Sequence, residues 1–155
     1  YHGSGVKACR CSPREVLRYQ GRVSGPMLDR IDLRVEVGQV PAEEIDRGGA
    51  RETSAEVRKR VKAARDIQQA RYRGTGLYAN AQMGPRQLSA FCGMDAAAAG
   101  LLQGAVRRFS LSMRGRDRVR KVARTIADLA SSPAVLAEHI AEALQYRGAN
   151  GAEDA

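Results

Sequence analysis

The stretch from Met113 to Ala130, MRGRDRVRKVARTIADLA, constrains the fold more than any other part of this chain. Val119, Val122, Ala123, Ile126, Leu129 and Ala130 recur at spacings of three and four, which puts them on one face of a helix. Ser112, just before it, can cap that helix. A helix with a single apolar stripe must bury it against other elements, and the neighbouring sequence supplies them. Pro85 to Cys92 reads as a short helix carrying Leu88, Phe91 and Cys92. Asp95 can cap an Ala-rich helix that runs to about Phe109 through Leu101, Leu102, Ala105 and Val106. Ser132-Pro133 opens a last helix with Leu136, Ile140, Ala143 and Leu144 facing inward. Short connections between several such helices are the pattern of a small helical bundle. With no Trp and only 5% aromatic residues, its core must be built from Leu, Val, Ile and Ala.

Upstream, Thr53-Ser54-Ala55-Glu56 is a capping box that opens a long helix to about Arg73. Val57, Val61, Ala64 and Ile67 are its apolar line. Arg58, Lys59, Arg60, Lys62 and Arg65 occupy the other faces, as either a solvated helix surface or a nucleic-acid contact. Gly74 to Gly84 reads as loop, and Arg47 to Glu52 as a linker. Earlier still, Ser12-Pro13-Arg14-Glu15 is another capping box, with a proline at the first helical position and a helix to about Arg22. A Ser24-Gly25-Pro26 turn stops it and leads into Leu28-Asp29-Arg30. Ile31, Leu33, Val35 and Val37 then alternate with Asp32, Arg34 and Glu36, the period of a half-buried strand. Pro41-Ala42-Glu43-Glu44 reads as a helical turn, and the end of the chain, GANGAEDA, as a disordered tail.

Arg30 thus sits where a short helix runs into an extended segment. It has two readings: a local ion pair with Asp29 or Asp32, or a fork of donors aimed at phosphate or carboxylate. The net charge of +9 and a pI near 10.1 call for an anionic partner without choosing among nucleic acid, nucleotide phosphates and an acidic protein face. Three cysteines argue against a disulfide scaffold and for a reducing compartment. No window approaches a membrane span, and no signal peptide opens the chain, so the expected location is the cytoplasm, away from any membrane. Cys9 and Cys11, one residue apart, are either free thiols or two ligands of a metal that needs four. No phosphate loop of the form G-x-x-x-x-G-K-[ST] occurs, nor a G-x-G-x-x-G, H-E-x-x-H or Ser/His/Asp pattern.

Three stretches together resemble one family, the magnesium-chelatase-like AAA+ ATPases, in its competence-associated group. They are ACRCSPREVLRYQGRVSGPMLDRIDLRVEV (8–37), LSMRGRDRVRKVARTIADLA (111–130) and SSPAVLAEHIAEALQYR (131–147). The resemblance implies a mainly α chain. Residues 1–50 would be the end of an AAA+ core, with a short helix and a strand beside the Cys-x-Cys segment; 51–147 would be a helical-bundle lid, and 148–155 a disordered tail. The family's phosphate loop and acidic metal-binding strand would lie upstream of Tyr1, leaving a C-terminal fragment inactive on its own. Arg30 matches the arginine finger presented to the nucleotide of a neighbouring subunit, and Arg114 the sensor 2 arginine that reaches the phosphates of ATP. Arg124 is expected in a structural ion pair, and Arg118, Arg120 and Lys121 on a solvated face.

The resemblance further implies ATP and Mg2+ as cofactors of the parent and a homo-oligomeric ring. DNA, single-stranded or branched, would be the substrate. Cys9 and Cys11 would be half of a four-thiolate Zn2+ site. Arg116-Asp117-Arg118 departs from the aromatic-His pair usual in the group. Two other readings stand beside this one: a motor inserting magnesium into a porphyrin, and a non-catalytic basic helical module that binds nucleic acid.

Overall fold

The computed structural model describes residues 2, 8–38, 40 and 52–147. The chain divides into two compact units, one of Tyr1–Ile31 with Val35–Arg51 and one of Asp32–Arg34 with Glu52–Ala155. The readings of 41–44 and 47–51 and of the tail at 148–155 fall outside the described residues.

In the first unit, α1 spans Pro13–Gln20 and α2 spans Gly25–Leu28. The capping box at α1 forms as expected. The Ser12 N–H donates to Glu15 Oε2 at 2.7 Å and the Glu15 N–H to Ser12 Oγ at 3.4 Å. Neither helix buries a residue.

The expected strand over Ile31–Val37 does not form; among the described residues there is no strand. Leu33, Val35 and Val37 are exposed. Alternation marks which side chains share a face, but a strand also needs a neighbouring ladder of backbone hydrogen bonds. Among the described residues no such ladder lies beside this segment.

The second unit holds α3 (Ser54–Arg71), a 3₁₀ turn at Asn80–Gln82, α4 (Pro85–Phe91), α5 (Ala96–Arg108), α6 (Met113–Leu129) and α7 (Ala137–Gln145). Helix α6 is the hub, packed against α3, α4, α7 and the 3₁₀ turn, while α5 packs on α7. Its line Val119, Ala123 and Ala127 is fully buried against Ala98, Leu102, Val135, Ile140 and Ala143. Small residues in that line let the helices approach closely. A second cluster joins Tyr72, Met83, Leu88 and Cys92, with Phe91 set edge-on to Tyr72 at 5.2 Å between ring centres.

Caps at Thr53, Asp95 and Ser112 form where the sequence places them, with Asp95 Oδ1 accepting from the Ala98 N–H at 2.7 Å and Ser112 Oγ from the Gly115 N–H at 3.0 Å. Three expectations need correction. In α3, Val57 and Val61 are exposed, and of that helix only Ala64 and Gln68 are buried.

The last helix starts at Ala137 rather than Ser132. The intervening residues are held extended: the Val135 N–H donates to Gly93 O at 3.0 Å, and Arg124 takes the carbonyls of Ser132 and Pro133. His139 Nδ1 caps the new start by accepting the Leu136 N–H at 3.0 Å.

The third concerns Arg118, Arg120 and Lys121, which are drawn onto the bundle rather than solvated. Arg120 is 8% exposed and donates to Leu88 O at 2.8 Å, and Lys121 Nζ donates to Ala81 O at 2.9 Å.

Candidate functional site

Arg30 follows directly on α2, whose Pro26 presets the first helical turn. Its side chain is exposed, and Nη1 donates to Pro26 O at 3.1 Å. Asp32, one of the two local partners considered for Arg30, is engaged instead by Arg118 Nη1 at 2.6 Å. The guanidinium is oriented by the Pro26 carbonyl, and among the described residues it makes no ion pair with a carboxylate.

Cys9 is half-buried and Cys11 exposed, both as free thiols. A backbone hydrogen bond from Cys11 lowers the Cys9 pKa, while the hydrogen bond to Cys9 raises that of Cys11. A structural zinc takes four ligands. Among the described residues no group of three or more His, Cys, Asp or Glu comes together, so Cys9 and Cys11 do not fit a zinc ion by themselves. Cys92 is 2% exposed in the apolar cluster, where burial pushes its pKa up to about 11.

On the second unit, Arg114, Arg118 and Lys121 stand at i, i+4 and i+7 along α6 and share one face. With Asp117 they line a cleft of about 410 Å³ whose floor includes Met83 and Leu88. Three cations face one carboxylate there. Lys121 is tied to a carbonyl and Arg118 to Asp32, but the exposed Arg114 makes no hydrogen bond or ion pair among the described residues.

Further along α6 lies a buried polar network that sequence reasoning named only in part. Asp128, with no exposed side-chain surface, accepts from both terminal nitrogens of Arg71, one at 2.8 Å, from Arg124 Nε at 3.0 Å and from Asn80 Nδ2 at 2.8 Å. Arg124 is 1% exposed, and its pair with Asp128 is the structural ion pair expected of it. Tyr72 Oη closes the network on Asn80 Oδ1 at 2.6 Å. Burial opposes the Asp128 charge most strongly, yet the hydrogen bonds from Arg71 and Asn80 and the field of Arg124 together pull its pKa below the usual carboxylate value. Every Asp128 oxygen is doubly satisfied, so the network fixes α3, α6 and the 3₁₀ turn and offers nothing to a substrate. One signal existed: Arg120, Arg124 and Asp128 recur every fourth residue beside the buried line Val119, Ala123, Ala127. Arg71 and Asn80 carry no such signal.

The described second unit is thus a helical bundle with a basic cleft at the start of its central helix, preceded in sequence by an arginine-bearing turn. Residues 51–147 match the family described as magnesium chelatase, subunit ChlI C-terminal, and residues 1–45 match magnesium chelatase, subunit ChlI. The chain belongs to this magnesium-chelatase-like family. It is 40% identical over 139 residues to Competence protein ComM of Haemophilus influenzae, covering 89% of this chain and 26% of that protein. It is 38% identical to the uncharacterized protein YifB of Escherichia coli, over 89% of this chain and 27% of that one. YifB of Salmonella typhimurium is 37% identical with the same coverage. The chain therefore spans about a quarter of the length of these relatives. Among the described residues no helix is long and apolar enough to cross a membrane.

Proposed function

We propose that this chain is the C-terminal part of an ATP-driven, ring-forming motor that processes DNA, single-stranded or branched. Arg30 then acts on the nucleotide of the neighbouring subunit, and Arg114 contacts the phosphates of ATP held by its own. The observation that carries this reading is the state of the two arginines. Each is exposed at a defined place on a helix end, and among the described residues neither forms an ion pair with a carboxylate. Such a guanidinium is available to stabilise charge that develops on a transferring phosphoryl group. ATP bound with Mg2+ supplies that phosphoryl group. No phosphate loop occurs in these 155 residues, so they offer ATP arginines but not the cradle or the magnesium ligands, and the chain alone should not hydrolyse it. The net charge of +9 favours DNA as the substrate. Magnesium insertion into a porphyrin is the second reading, favoured by the description of the matching family.

The test uses the full-length parent. Arg30→Ala should leave ATP binding nearly intact and slow hydrolysis by on the order of 10³- to 10⁵-fold, the range of arginine fingers. Mixed with subunits lacking the phosphate-loop lysine, Arg30→Ala subunits should regain part of the rate, since each supplies what the other lacks. Mixed rings as inactive as either parent, with assembly intact, would remove the across-subunit role.

A further inference from the structure

Asp32, Leu33 and Arg34 belong with the bundle, although their neighbours on both sides belong to the other unit. Polar contacts of Asp32 and Arg34 hold this short strap. Asp32 Oδ1 accepts from Arg118 Nη1 at 2.6 Å. Leu33 lines an apolar groove with Val122, Ile126 and Leu129. The Arg34 N–H donates to Tyr146 O at 2.7 Å, and its guanidinium donates to Arg147 O.

The Asp32–Arg118 tie is lopsided. The Asp32 carboxylate is 49% exposed, so water can replace its partner at little cost. The Arg118 side chain is only 18% exposed, and its Nε is buried with no acceptor among the described residues. A buried donor left without a partner is rare and calls for an explanation. Arg118 also lines the cleft one helical turn from Arg114, about 6 Å along the axis at 1.5 Å per residue. A chain of linked phosphates can span two guanidinium groups at that spacing, whereas a single carboxylate engages one.

Building on the reading of Arg114 given above, we propose that Arg118 is a second polyphosphate-binding arginine of this cleft, held in reserve by Asp32. A polyphosphate ligand competes with the Asp32 carboxylate for Arg118. Filling the cleft thereby releases the strap from α6.

The probe is inorganic tripolyphosphate titrated into the full 155-residue chain, read by NMR on arginine Nε–H signals and by hydrogen exchange at the Arg34 amide. The Nε–H signals of Arg114 and Arg118 should both move, and the Arg34 amide should lose protection at saturation. Asp32→Asn removes the internal competitor and should tighten binding about two- to fivefold, the range set by a surface ion pair. Arg118→Ala should weaken binding and abolish the effect of Asp32→Asn; Arg118→Lys, which keeps the charge but not Nε, should fall between. Unchanged or weaker affinity in Asp32→Asn, or unchanged Arg34 protection, would overturn the proposal. If Arg114→Ala weakens binding while Asp32→Asn and Arg118→Ala do nothing, the latch fails and the Arg114 reading stands. If Arg114→Ala has no effect, or tripolyphosphate does not bind, the reading beneath it fails as well.

Discussion

Replacing Asp128 tests the load carried by the buried network. Asp128→Ala strips Arg124 of its carboxylate partner at a position where that guanidinium is 1% exposed. It also removes the acceptor for two donors of Arg71 and one of Asn80. Breaking a buried pair by deleting one partner costs about 3–5 kcal/mol, against a total stability of about 5–15 kcal/mol for a domain. With a urea slope of about 1.5 kcal/mol/M, the midpoint should fall by about 2–3 M. Asp128→Asn keeps the shape and part of the hydrogen bonding and should fall between parent and alanine variant. The double variant Arg124→Ala, Asp128→Ala should cost less than the two single changes together, with a coupling of about 1–3 kcal/mol. Acid gives a second readout. The folded pKa of Asp128 is depressed, so its stabilisation is complete above the unfolded value, about 3.9, and is lost as pH falls through the lower folded value. Asp128→Asn should lack that part of the acid loss. A urea shift in Asp128→Ala equivalent to less than about 1 kcal/mol, with unchanged helix content, would refute the assignment of a load to this network.

Three further outcomes are expected. Cys9 and Cys11 should react promptly with a thiol reagent at pH 8, while Cys92, with its pKa at about 11, should react only on unfolding; mass spectrometry would count two labels and then three. Ser110 and Ser131 hold left-handed φ angles of 47° and 55°, so Ser131→Gly and Ser110→Gly should each stabilise the bundle by about 0.5–1 kcal/mol in urea unfolding, and a loss would show that the serine side chains contribute there. DNA binding by the chain alone should be weak, independent of sequence and steeply salt-dependent; sub-micromolar affinity surviving about 0.5 M salt would contradict a purely electrostatic contact.

Local chemistry was legible in this chain wherever neighbours in sequence are also neighbours in space. The boxes Ser12 with Glu15 and Thr53 with Glu56, and the caps at Asp95 and Ser112, join residues three apart, and all four form. The apolar face of α6 was legible in part for the same reason: Val119 and Ala123 are buried and Val122 and Ile126 half-buried, whereas Leu129 and Ala130 stay exposed and the buried Ala127 was not read as part of it. Arg30 and Arg114 could be singled out because each lies at a helix end, although their roles rest on family resemblance and on proposal. What the tertiary structure alone decided are the partners across long separations. Asp32 could reach Arg30 two residues away, yet it bonds to Arg118, 86 residues on. Nothing near Asp128 announces Arg71 or Asn80, 57 and 48 residues away. Periodicity also left open where burial stops, so Val57 and Val61 read as core although both stay exposed. The same holds for Ile31 to Val37, whose alternation describes a face but supplies no ladder to pair with it. A one-dimensional pattern records a residue's own preference, whereas burial and ion pairing depend on which distant surface is brought against it.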